Sequence, residues 1–148
     1  MNNRYLFRGK RVDNREWVTG WYFEHLGKTY ILPIGASESK HTYFFDYMLE
    51  VDSATIGQCT GLLAAKSYRG DSEDARRVFE GDIVNWEDGK YGIKEIIFSQ
   101  GCFQAHRYGG LCPLRYFPLK DSMTLAAEII GTIHDHPELL GGEKGEDE

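Results

Sequence analysis

Apolar and polar residues alternate with period two over much of this chain, the pattern of half-buried strands. In "RYLFRG", Arg4, Leu6 and Arg8 fall on one side and Tyr5 and Phe7 on the other. "EWVTGWYF" and "KTYILPI" repeat the signal and are rich in β-branched and aromatic residues. The "EHLGK" between them predicts a hairpin connection with its glycine at Gly27. After the polar loop "GASESKH", the aromatic-dense "TYFFDYMLEV" suits a buried strand or a short helix equally.

From Thr55 the texture changes. "TIGQCTGL" reads as a short strand, and the polar "AAKSYRGDSEDARR" after it is long enough to be an excursion, with Ser72 placed to cap a short helix that has acids in its first turn. "GDIVNW" and "YGIKEIIF" form a hairpin across Asp88-Gly89, two residues that accept the left-handed conformations of a type I′ turn. "GCFQAHRY" and "LRYFPL" give further short strands around "GGLCP". "TLAAEIIGTIHD" predicts a final long strand with a bulge or close backbone approach at Gly131, stopped by His136-Pro137 and followed by one helical turn, "PELL". Many short strands and few helices point to an all-β or β-rich barrel.

Composition sharpens this picture at a few points. Aromatics at 14% and 17 glycines favour strands and turns. The net charge of -6 is concentrated at the end: residues 137–148 carry one basic and five acidic groups, whereas residues 1–52 carry seven of each. "GGEKGEDE" therefore reads as a solvated, disordered acidic tail over 141–148. Three cysteines with no CxxC pair fit reduced thiols and a cytoplasmic location better than a disulfide scaffold. The start "MNNRYLFRGKR" lacks the apolar region of a signal peptide, and no apolar run approaches membrane-span length, so no membrane association is expected.

Candidate chemistry is sparse. Glu80-Gly81-Asp82 is a carboxylate pair by composition, but Gly81 tolerates positive φ and Asp82 can bond its own following backbone N–H groups, so the stretch reads as a structural turn, like Asp88-Gly89. His134-Asp135-His136 would project two imidazoles from one strand face, yet the sequence supplies no further ligands at suitable spacing for a closed metal site. Cys59, Cys102 and Cys112 stand in no catalytic signature, although His41 and His106 are available as bases, and each reads as a small buried hydrophobe. No phosphate-cradling GxxxxGK[ST] or GxGxxG is present. These observations point to a non-enzymatic protein without a cofactor.

One constellation remains. Arg4, Arg8, Lys10, Arg11 and Arg15 are interleaved with Tyr5, Phe7, Trp17, Trp21 and Tyr22. Such an edge could neutralise phosphates while its rings stack on bases, or its rings could anchor a protein partner. Arg4, Arg8, Lys10, Arg11, Arg15, Trp17 and Trp21 are the candidate contacts for either.

The order "YLFRGK", "TIGQCTGL", "FEGDIVNW", "EIIGTIHDHPELL" resembles the YopX family of phage and prophage proteins, in which a TGL segment, a YEGDIV or FEGDIV segment and a closing IGNI-xx-NPEL segment recur. The match is good over 55–140 and looser over the first 54 residues. One departure stands out: "LAAKSYRGDSEDARRV" is about twice as long as the short turn with which family members join TGL to EGDIV. The resemblance implies a mainly β fold with an SH3-like small barrel and a tendency to form homo-oligomers, and no known catalytic activity. Together these readings give an N-terminal β-rich extension and oligomerisation element over 1–54, a barrel core over 55–140 with one or two short helices, and the tail. The function expected is that of a phage accessory protein that self-associates and binds a phage or host protein. The alternative is a nucleic-acid-binding small barrel using the basic-aromatic edge.

Overall fold

A computed structural model of the chain describes residues 5–34, 48–65, 76–86, 92–99, 101–107, 110–113 and 124–140. Expectations that fall on Arg4, the Ser72 helix, the Asp88-Gly89 turn, most of "TYFFDYMLEV", "LRYFPL" and the tail lie outside those residues. The fold is mainly β, built from mostly antiparallel strands, and the chain divides into two compact units, Asn2–Cys59 and Thr60–Glu148.

In Asn2–Cys59 the strands are β1 (Phe7–Lys10), β2 (Trp17–His25), β3 (Lys28–Pro33), β4 (Leu49–Val51) and the start of β5 (Gly57–Ala65), arranged side by side as β5-β1-β2-β3-β4. Strand β1 is shorter than the alternation in "RYLFRG" predicts; Tyr5 precedes it and is exposed, while Leu6 is buried. The β2–β3 ladder runs to the pair His25–Lys28, so its turn is Leu26-Gly27, with φ of 51° and 78°. That is the left-handed pair a two-residue hairpin requires, with leucine in one of the two places. A 3-10 turn, Ser53–Thr55, separates β4 from β5. Asp52 caps it by accepting the Ala54 N–H at 3.0 Å, and the Thr55 hydroxyl accepts the Lys10 N–H at 2.8 Å, which fastens the turn to β1.

The pairing register sorts this sheet into two faces. Gly9, Gly20, Thr29, Ile31 and Val51 share the buried one. A Cβ on Gly20 would lie 1.9 Å from the Leu32 carbonyl oxygen, and one on Gly9 would lie 3.0 to 3.1 Å from Ile56 and Val51. The buried face is therefore crowded at its glycines, and the large rings of Trp17, Trp21, Phe23 and Tyr30 occupy the opposite face.

In Thr60–Glu148 the remainder of β5 is joined by β6 (Arg76–Phe79), β7 (Asp82–Trp86), β8 (Ile93–Ser99), β9 (Cys102–Arg107), β10 (Gly110–Pro113) and β11 (Thr124–Thr132). Their order is β10-β9-β8-β7-β11-β5, with β6 also on β5. The β11–β5 pairing is parallel. Leu62, Ala64, Val78, Val84, Ile96, Ala105 and Ala127 form one apolar cluster, with Phe103 and Ile129 packed against it. Register shifts between Ile129 and Gly131, where the sequence places a bulge. Glycine is needed there for a second reason, since a Cβ would lie 2.6 Å from the His136 ring.

Two expectations change. Among the described residues no sheet closes into a barrel, so the SH3-like barrel at 55–140 becomes an open sheet running from β10 to β6. Strand β11 ends at Thr132, not at His136-Pro137. The Thr132 hydroxyl accepts the N–H groups of His134 at 3.2 Å and Asp135 at 3.0 Å, turning the chain before the proline is reached. His134 and His136 thus leave the strand and do not share a strand face. The helical turn of "PELL" is present at 138–140. No helix among the described residues is long and apolar enough to cross a membrane.

Candidate functional site

Strand alternation brings Arg8 and Lys10 to the face of β1 that carries Trp17 across the ladder, where Lys10 pairs directly with Trp17. The Arg8 guanidinium lies 4.7 Å and the Lys10 ammonium 5.4 Å from the Trp17 ring centroid, so both cations lie over the same indole. Trp21 follows four residues along the same face, beyond Thr19, and is 41% exposed. Phe23 and Tyr30 are direct cross-strand partners and stack with centroids 5.4 Å apart and planes 19° from parallel. A continuous outward platform results, cationic at the β1 end and aromatic across β2 and β3.

Arg11 and Arg15 stand apart from this platform. Arg11 makes a two-pronged contact with Asp13, at 2.9 and 2.6 Å, which holds the Asp13 carboxyl below the usual carboxylate range and pushes the guanidinium up. Arg15, at φ 62°, reaches Asp52 at 3.1 Å. Phe7 and Tyr22 pack together on the other face, 5.1 Å apart, and the Tyr22 hydroxyl donates to Glu24 at 2.5 Å, a bond that raises the phenol pKa. The sequence reading missed Phe23 and Tyr30 as members of the platform. Continuing the alternation from Trp17 through Trp21 reaches Phe23, and a two-residue turn at Leu26-Gly27 then fixes Tyr30 opposite it.

The Glu80-Gly81-Asp82 corner is clamped from three sides. Gly81, at φ 93°, donates to the Ile96 carbonyl at 2.8 Å and accepts the Ile133 N–H at 2.9 Å. Buried Asp82 accepts the Phe79 N–H at 2.7 Å. Nearby Glu95 is the cross-strand partner of His106. Burial pushes the Glu95 carboxyl up, His106 partly offsets this, and Glu80 adds to it. Cys59 is buried, and Cys102 is half-buried with its Sγ 3.2 Å from the Gln104 amide nitrogen. Among the described residues no three His, Cys, Asp or Glu side chains are placed to hold a metal ion.

No curated protein and no solved structure matches this chain. The family model described as YopX protein matches residues 6–141, a span that takes in the platform, the TGL segment, the FEGDIV corner and the closing "PELL" turn. Since the match covers nearly the whole chain, the protein belongs to the YopX family.

Proposed function

We propose that the protein is a non-enzymatic phage accessory protein whose N-terminal unit is an interaction module, with the outward platform of β1–β3 as the surface through which copies associate and a partner protein is bound. The observation that carries this reading is Trp21, 41% exposed beside the stacked Phe23–Tyr30 pair on a regular sheet face. Large rigid rings on such a face bury much apolar area at little conformational cost, which is why Trp and Tyr dominate interface anchors.

The nucleic-acid alternative is favoured by one feature, the two cations against Trp17. It is weakened by another, since Arg11 and Arg15 are each within salt-bridge distance of a carboxylate of the same unit. Affinity purification of tagged protein from host lysate, with and without nuclease, separates the readings. A protein that stays bound after nuclease supports the interaction module. Material lost with nuclease, with binding that falls steeply as salt rises, supports nucleic acid.

A further inference from the structure

The hairpin joining β8 to β9 brings a thiol and a buried amide together. Ser99 and Cys102 are the last cross-strand pair before the turn at Gly101, which has φ 81°. Cys102 is a free, half-buried cysteine, and Gln104, two residues along β9, lies on the same side of the strand. The Gln104 side chain is turned onto the sulfur: its Nε2 donates to Cys102 Sγ at 3.2 Å and to the Ser99 carbonyl at 3.2 Å. The thiol, a weak donor, is spent on the same carbonyl at 3.6 Å.

The oxygen of that amide is left over. Gln104 is only 4% exposed, and among the described residues its Oε1 is buried without a hydrogen-bond partner. The ladder accounts for this. Gln104 pairs with Ile97 on one side, whose side chain has no donor, and with Pro113 on the other, which lacks even a backbone N–H. A buried acceptor in this state is costly, and whatever relieves it must bring a donor to the amide.

We infer that Cys102 is a site of reversible oxidation by a hydroperoxide, and that Gln104 holds the sulfenic acid formed there. The thiolate attacks the outer oxygen of the peroxide. The S–O bond forms as the O–O bond breaks, and the leaving oxyanion takes up the proton that the thiol gave up, departing as water or an alcohol. Sulfur loses two electrons and the peroxide gains them. The S–O–H group so formed is a strong donor beside the amide whose oxygen lacks one, while Nε2 stays on the sulfur. Two small thiols reverse the step, becoming a disulfide as the added oxygen leaves as water. Access is open from the turn: Gly101 is exposed, and a Cβ there would meet nothing within 4 Å. The site lies in Thr60–Glu148 and is independent of the interaction reading of Asn2–Cys59.

The test treats the full chain with hydrogen peroxide, traps sulfenic acid with dimedone and reads each cysteine-containing peptide by mass spectrometry. Cys102 should carry at least about tenfold more adduct than Cys59, which is fully buried, and a thiol reductant added before the trap should abolish it. Gln104→Leu keeps the bulk and removes the amide, so it should shorten the life of the trappable species severalfold when the trap is delayed. Gln104→Met serves in its place if circular dichroism shows that the first variant folds poorly. Adduct at Cys102 no greater than at Cys59 overturns the inference, as does a lifetime that neither folded variant changes. So does a loss of lifetime matched by faster alkylation of the reduced thiol with iodoacetamide, because the variant would then merely uncover the sulfur.

Discussion

The two units of this protein distribute their aromatic residues differently. In Thr60–Glu148 the Phe103 ring packs against a cluster built from Leu62, Val78, Val84 and Ile96. In Asn2–Cys59 the buried face is assembled from Ile31, Val51 and Thr29 around two glycines, and the rings of Trp17, Trp21, Phe23 and Tyr30 lie on the other face. The buried side carries rings as well, Phe7 opposite Gly20 and Tyr22 opposite Ile31, packed 5.1 Å apart. Gly20 itself, under the Leu32 carbonyl, has no room for a Cβ, so these rings lie beside a position that must stay bare. Ring placement follows the register of each strand, and Trp17, Trp21, Phe23 and Tyr30 are the rings that alternation sends to the other face.

The largest effect that could sharpen this contrast is expected at Ile96, fully buried in the C-terminal cluster. Ile96→Ala should cost about 3–4 kcal/mol, the transfer and cavity cost of a core isoleucine, seen as a lower midpoint in urea denaturation followed by circular dichroism. A loss under about 1 kcal/mol would mean that the cluster is loosely packed. Next comes Gly20→Ala. Its new methyl group would meet backbone, which cannot rotate aside, so β2 and β3 must separate; about 2–3 kcal/mol is expected, with altered tryptophan fluorescence from Trp17 and Trp21. An Ala variant of unchanged stability would contradict the close approach of β2 and β3 at this position.

The smallest effect concerns Glu95. Its folded-state pKa is raised, by burial first and by Glu80 in addition, so folding favours the protonated acid. The associated stability is fully present below the unfolded carboxyl value of about 4.3 and is lost as pH rises through the raised folded value. Glu95→Gln should therefore raise the melting temperature at pH 7 and give no gain near pH 4. A gain that is the same at both pH values would assign the effect to something other than ionisation.

Much of this fold was legible. The β2–β3 hairpin followed from glycine after an alternating run, the β7–β8 pair from "GDIVNW" and "YGIKEIIF", and the bulge near Gly131 from a lone glycine inside a strand pattern. Period-two alternation relates Arg8 to Lys10 and Trp17 to Trp21 within their strands, but it is the β1–β2 register that brings the two sets to one face. It could not say which face was outward, because alternation is symmetric between the two sides of a sheet; only Gly9 and Gly20, read together as close-packing positions, carry that information. The end of β11 was misplaced because a threonine hydroxyl, not the proline, turns the chain, and that choice depends on local bonds to His134 and Asp135. Arg11 and Arg15 had carboxylates close at hand, one of them two residues away and the other in the distant Asp52, which sequence spacing does not reveal.

The most direct test of the outward platform is sedimentation of the wild-type chain and of Trp21→Ala across a concentration series. The account predicts a wild-type species heavier than the monomer and a variant shifted towards monomer by about 2 kcal/mol of association free energy, the scale of an interface tryptophan. The half-exposed position of Trp21 implies that the variant keeps its fold, and circular dichroism checks this. A wild-type chain that is monomeric throughout, or an assembly that Trp21→Ala leaves unchanged, would contradict the platform as the surface of association.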